Sequence, residues 1–192
     1  MSKPKITTLM EDTLYGNGLE AEHGLSLYIE TEKHKILADT GQSAKTWTNA
    51  SAKKIDITKV DTVFLSHGHN VFPKRNWPKG NKRLHELKNG EYVQDTFSHE
   101  MYLVIKYEQN KYILISGCAH NGILNILDSF REIYGTDPSI VVSGFHMIQP
   151  EYTEDDLQEI RETAVELSKM DTVFYSGHCT GEIPYRLLKE IM

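Results

Sequence analysis

The stretch Tyr112-Ile113-Leu114-Ile115-Ser116-Gly117-Cys118-Ala119-His120 is an apolar run that breaks on small residues and ends in an imidazole. The same design recurs in Val60-Asp61-Thr62-Val63-Phe64-Leu65-Ser66-His67, in Ile140-Val141-Val142-Ser143-Gly144-Phe145-His146 and in Thr172-Val173-Phe174-Tyr175-Ser176-Gly177-His178. Each run has the composition of a β-strand. In a layered α/β domain, neighbouring strands deliver their carboxyl ends to one crevice, so side chains just past each strand meet although they are far apart in sequence. Small residues before each histidine let the chain turn sharply and let backbones approach a shared centre. Convergent imidazoles at such a rim point to a metal.

The rest of the chain fits that reading. Its 192 residues suffice for one domain with a real core, and 39% hydrophobic with 25% charged residues is an ordinary globular balance. No apolar run is long enough to cross a bilayer, and Met1 to Leu9 lacks a signal-peptide core, so the expected location is cytoplasmic, with no membrane partner. The formal charge of −6 and the lack of a dense Lys/Arg block argue against nucleic acid. The basic stretch from Lys74 to Arg83 reads as a solvated loop first, and second as a gate for an anionic small substrate. Cys118 and Cys179 read as reduced, small buried fillers rather than a disulfide.

Outward from the four histidine runs, Ile6 to Met10, Leu25 to Glu30 and His34 to Asp39 read as strands, the last two forming a hairpin. Residues Ser43 to Lys54 have modest helical character. Residues 70–98 lose periodicity and collect Pro73, Pro78, Gly80 and Gly90, which predicts an irregular loop over the site. A hairpin from Met101 to Ser116 follows, then helices at Gly122 to Tyr134, Glu154 to Lys169 and Glu182 to Ile191 separated by strands. The middle helix places Leu157, Ile160, Ala164 and Leu167 on one face, and Thr153 is its expected cap. Thr180-Gly181 reads as the cap of the last one, and only second as an anion site.

His67-Gly68-His69 puts two imidazoles on alternate residues of a tight turn, and His120 would complete a three-nitrogen set of the kind that holds zinc with one position open. Five motifs then fall in order: Asp39-Thr40-Gly41, Leu65-Ser66-His67-Gly68-His69, Gly117-Cys118-Ala119-His120-Asn121-Gly122, Gly144-Phe145-His146 and Gly177-His178-Cys179-Thr180-Gly181. Together they resemble the motifs of metallo-β-lactamase-fold hydrolases, with the nearest likeness to the dihydropterin ribofuranosyl-aminobenzene phosphate synthase-like branch. The resemblance implies an α/β fold, a four-layer αββα sandwich of two mixed β-sheets flanked by helices, formed by residues 1–192 as a single domain. It further implies that His67, His69 and His120 hold a first metal, that His178 belongs to a second, and that Asp39 braces the site loops from outside. His146 stands where the family supplies a further site residue, and it is assigned with His178 to ligation or proton transfer.

The pattern departs from the family at one place. Relatives read His-x-His-x-Asp-His, whereas here His69 is followed by Asn70-Val71-Phe72, which removes two expected ligands of the second metal. His85 and His99 are the available replacements, and both read as surface histidines. The function implied is a metal-dependent hydrolase, with zinc as the expected ion, one or two of them, iron or manganese as alternatives. It would use metal-bound hydroxide on a small ester, phosphoester or pterin-like substrate. The alternative is a catalytically impaired relative that serves as a metal- or ligand-binding module, which the lost Asp-His pair favours. A redox di-iron centre on the same fold would need carboxylate ligands that this motif set does not supply.

Overall fold

The structure is a computed structural model, and it describes residues 3–14, 16–66, 75–97 and 100–192. Its organisation follows from two strands that are apolar on both faces. In β2 (Ser26–Glu30), Leu27 and Ile29 point one way into a core shared with a second sheet, while Tyr28 points the other way under a helix. In β8 (Lys111–Ser116), Ile113 and Ile115 enter that same shared core, while Tyr112 and Leu114 enter a second core beneath helices. Successive side chains of a strand leave opposite faces. A strand apolar on both faces therefore needs a layer on each side, and two such strands in two sheets give four layers.

The first sheet has the order β1 (Lys5–Met10), β2, β3 (Lys35–Ala38), β4 (Thr62–Phe64). Its first two pairings are antiparallel and β3/β4 is parallel. Helix α1 (Lys45–Ala52) covers its outer face, with Ala50 packed on Leu9, Tyr28 and Leu37. The second sheet includes β7 (Tyr102–Glu108), β8, β9 (Ile140–Ser143) and β10 (Val173–Ser176), in the order β10-β9-β8-β7. There β8, β9 and β10 are parallel and β7 is antiparallel to β8. Helices α2 (Ile123–Tyr134), α3 (Glu154–Ser168) and α4 (Glu182–Ile191) cover its outer face. The result is the αββα sandwich of two mixed sheets that the motifs imply.

Local chemistry sets the element ends. Thr153 caps α3, accepting from the Asp156 N–H, while the Asp156 carboxylate accepts in return from the Thr153 N–H at 2.9 Å. Such reciprocal pairing satisfies donors that the first turn leaves open. Of the pair Thr180-Gly181 expected to cap α4, Gly181 is the N-cap and Thr180 gives that turn no side-chain bond. Its hydroxyl accepts from the Phe145 N–H at 2.9 Å and pairs with Ser176 Oγ at 2.6 Å, so it knits the ends of β9 and β10 together instead.

Residues 70–98 also differ from expectation where they are described. Lys79–Arg83 forms a 3-10 turn, and β5 (His85–Lys88) pairs antiparallel with β6 (Glu91–Gln94). Asn89 and Gly90, with φ of 53° and 88°, make the connection. Two consecutive left-handed residues are what a two-residue hairpin turn demands, and Asn-Gly supplies them at least cost. The scattered prolines mask this short signal in the sequence.

Candidate metal centre

Because β8, β9 and β10 run parallel with Ser143 opposite Ser176, their carboxyl ends reach one rim of the sandwich. His120, His146 and His178 follow these ends within one short turn each, and Ala119, His146 and His178 adopt left-handed backbone, with φ of 51°, 49° and 50°. The parallel pair β3/β4 brings Asp39 and Ser66 to the same rim. Asp39 Oδ1 accepts the Ser66 N–H at 2.8 Å, and the Met101 N–H donates to the Ser66 carbonyl at 2.8 Å. Asp39 thereby fixes the residue that directly precedes His67. His67, His69 and His99 lie outside the described residues.

On this rim His120 packs between two rings. Phe97 stacks on it with centroids 4.7 Å apart, and the ring of His146 lies 4.2 Å away, tilted by 57°. Glu100, only 2% exposed, holds the loop: its carboxylate accepts from the His120 N–H at 2.5 Å, and from the Asn121 N–H at 2.8 Å and Nδ2 at 3.0 Å. From the other side Asn81 Nδ2 donates to the His120 carbonyl at 2.6 Å. Burial, with the neighbouring His120 ring, pushes the pKa of His146 down to about 4, so its imidazole is neutral at pH 7. Nδ1 of His146 is buried and has no hydrogen-bond partner among the described residues.

His178 is held from the first sheet. Its Nδ1 donates to Asp12 Oδ1 at 2.7 Å, and its backbone N–H donates to Glu11 Oε1. Asp12 also takes Nδ1 of His23 at 3.1 Å, whose ring centroid lies 5.0 Å from that of His178. With Nδ1 committed, Nε2 of His178 faces Cys118 Sγ at 3.1 Å. Burial alone would lower the pKa of His178, yet the Cys118 sulfur and the Asp12 carboxylate hold it up at about 9. Hydrogen bonding to Cys179, and then to His120 and His178, holds the Cys118 thiol far below its ordinary value, whereas burial and Cys118 raise that of Cys179. The two cysteines are therefore inequivalent.

This donor set suits a divalent cation. Imidazole nitrogens and sulfurs are ligands for zinc-like ions, and a buried ring nitrogen without a partner is the kind of atom a cation or a bound molecule satisfies. A cavity of about 530 Å³ opens beside it, lined among others by His146, Gly80, Gly122, Phe145, Lys79 and Asp156. That size is within the range of small-molecule sites.

Comparison with known proteins agrees with the architecture. A family model described as the metallo-beta-lactamase superfamily matches residues 19–70. The crystal structure of a metal-dependent hydrolase of the beta-lactamase superfamily superposes with a TM-score of 0.72 over 96% of this chain and 91% of that one, at 24% identity. The chain has the metallo-β-lactamase fold. Among curated relatives, the 7,8-dihydropterin-6-methyl-4-(beta-D-ribofuranosyl)-aminobenzene-5'-phosphate synthase of Methanocaldococcus jannaschii is 34% identical over 100 residues, which are 51% of this chain and 32% of that protein. An uncharacterized protein of the same organism is 29% identical over 161 residues, 82% of this chain and 59% of that protein. This chain thus spans less than two thirds of either relative.

Seen on the metallo-β-lactamase fold, the predicted residues separate into groups. His120 and His146 touch one another, and His178 lies beyond Cys118. Among the described residues, the clusters able to chelate an ion centre on His178: Cys118, His178 and Cys179 in one, Asp12, His23 and His178 in the other. His85 is exposed and bonds the Arg83 carbonyl at 3.3 Å. Two cations of the basic stretch are paired: Arg75 with Asp128 at 2.7 Å, and Lys79 with Asp156 at 2.7 Å. Sequence reasoning missed Glu11, Asp12, His23 and Glu100. An acidic pair directly after β1 was a usable signal. Nothing near Glu100 marked it as buried. Cys118 is more than a filler, since its sulfur contacts a site imidazole.

Proposed function

We propose that this protein is a metal-dependent hydrolase acting on a small ester, phosphoester or pterin-like molecule, with zinc as the ion. The observation that carries the reading is the gathering of His120, His146, His178 and Cys118 on the rim that Ser66, next to His67, also reaches. His67, His69, His120 and His178 would hold the metal. When bound, a divalent cation supplies Lewis acidity and makes water a usable nucleophile near pH 7.

The remaining roles belong to the chain's own side chains. Asp12 fixes the Nδ1–H tautomer of His178 and aims Nε2 into the site. Glu100 and Asn81 grip the backbone of His120 from both sides, so that the ring cannot drift. His146, neutral and at the cavity wall, is placed to take a proton from water and then to pass that proton to a leaving group. The cavity beside it takes the organic part of the substrate. Support for this substrate class comes from the cavity's small-molecule size and from the named curated relative.

One observation favours a second reading. Val71 and Phe72 stand where the family pattern has an aspartate and a histidine, and a site with fewer ligands would serve as a binding module. The test is metal analysis of purified protein beside a His120→Ala/His178→Ala variant, with hydrolysis of phosphodiester, thioester and lactam probes. Metal retained by the wild type alone, with turnover of one probe class, is the expected result. Equal metal content in both proteins overturns the hydrolase reading, and metal without turnover selects the binding module.

A further inference from the structure

We propose that Cys118 and Cys179 join His178 in a soft-metal site on this rim, taking a zinc-class divalent cation through two thiolate sulfurs and one imidazole nitrogen. The proposal rests on the reading that the rim binds a cation, and to His178, which that reading already uses, it adds two sulfur donors that it does not use.

The geometry carries it. The two sulfurs and a ring nitrogen of His178 all lie within 4.8 Å of one another, and Cys118 Sγ is 3.1 Å from Nε2. Ligand atoms around one tetrahedral zinc ion sit roughly 3.5 Å apart, given bonds of about 2.0–2.3 Å. Small adjustments of the side chains therefore suffice. The imidazole is already set for the task, because Asp12 occupies Nδ1 and leaves Nε2 directed at the sulfurs. A carboxylate behind a ligating histidine is the usual way of fixing its tautomer and its basicity.

Backbone packing makes room for the second sulfur. A Cβ at position 144 would lie 2.6 Å from Cys179 Sγ and 3.2 Å from the Gly117 carbonyl, so the thiol fills a space that only glycine leaves open. Cys179 is 2% exposed and Cys118 is partly open, so the sulfurs sit at the inner wall with one side facing the rim. The neighbouring Asp12, His23 and His178 cluster makes a poorer site, since His178 Nδ1 already donates to Asp12 and His23 is exposed. Thiolate ligands select zinc-like ions over magnesium, calcium or manganese. Two sulfurs and one nitrogen leave a fourth tetrahedral position free, as in catalytic zinc sites of that composition.

The experiment is a cobalt(II) titration of reduced, metal-free protein, followed by absorption, with thiol reactivity measured in parallel. Saturable thiolate-to-cobalt charge-transfer absorption in the near ultraviolet is expected, about half of it disappearing in Cys118→Ser because one of two sulfurs is removed. The chain has only these two cysteines and Cys118 is the partly open one, so the reaction of folded wild-type protein with a thiol reagent reports on Cys118, and zinc is expected to slow it. That second readout needs no variant to fold. Cobalt that binds with ligand-field bands alone, together with thiol reactivity unmoved by zinc, overturns the sulfur site and leaves the hydrolase reading standing. No binding of either metal ends both.

Discussion

Asp12, at the end of the first strand, holds Nδ1 of His178 at 2.7 Å across 166 residues of sequence. The bond joins the two sheets at the rim and fixes the imidazole whose other nitrogen faces Cys118. Replacing the carboxylate with an amide keeps the size and removes the charge. Asp12→Asn should weaken zinc or cobalt binding by roughly 10–100-fold, the range found when the partner of a ligating histidine is lost. A metal titration of the folded variant checks this. Unchanged affinity would show that the pair is only structural.

Gly144 lies where two strand ends and a sulfur crowd together. Alanine there would press its methyl onto Cys179 Sγ at 2.6 Å, and that sulfur is buried with the Cys118 carbonyl 3.4 Å away. Gly144→Ala should cost about 1–3 kcal/mol, the range for overpacking an interior. Urea unfolding followed by circular dichroism measures it. A variant as stable as wild type would mean that the rim can widen freely.

Glu100 is a buried acceptor surrounded by donors. With N–H groups of His120 and Asn121 and the Asn121 amide all pointing at it, Glu100→Gln brings in an amide that can accept at one atom only. At least one buried donor loses its partner, at a cost of about 1–3 kcal/mol. Thermal unfolding should show the loss, and metal affinity should fall with it because the His120 loop is released. If stability drops while metal binding holds, His120 is not a ligand.

Asp156 gives a pH dependence of known sign. The Lys79 ammonium, and then the hydroxyl and N–H of Thr153, hold its carboxyl well below the usual 3.8. A carboxyl depressed in the folded state stabilises above its unfolded value, and that contribution is lost as pH falls through the acid range. Wild-type melting temperature should therefore drop as pH is lowered below about 4, and Asp156→Asn should drop less steeply. Parallel acid limbs in the two proteins would count against the assignment.

Sequence alone revealed most of the frame and only part of the site. Runs such as Ile140 to Ser143 and the apolar face of Ile160, Ala164 and Leu167 carry their own periodicity, and Thr153 announces its cap. The hairpin turned at Asn89 and Gly90 was hidden, because its flanking strands are short and polar. The partners of His178 were hidden for a different reason. Glu11 and Asp12 meet it only through the stacking of two sheets, and that proximity has no spacing in the chain to betray it. Glu100 looks like any surface glutamate until its three donors are seen.

The left-handed conformation of Asp39, Ala119, His146 and His178 sets conformational comfort against chemical capability. Glycine would relax each of these positions, yet at three of them it would erase the carboxylate or imidazole that gives the rim its purpose. Each such residue is worth about 1–3 kcal/mol of backbone tension, held in place by the two sheets beneath. Ala119, whose methyl group carries no chemistry, is the one position among the four where the molecule could give up that tension without surrendering a functional group.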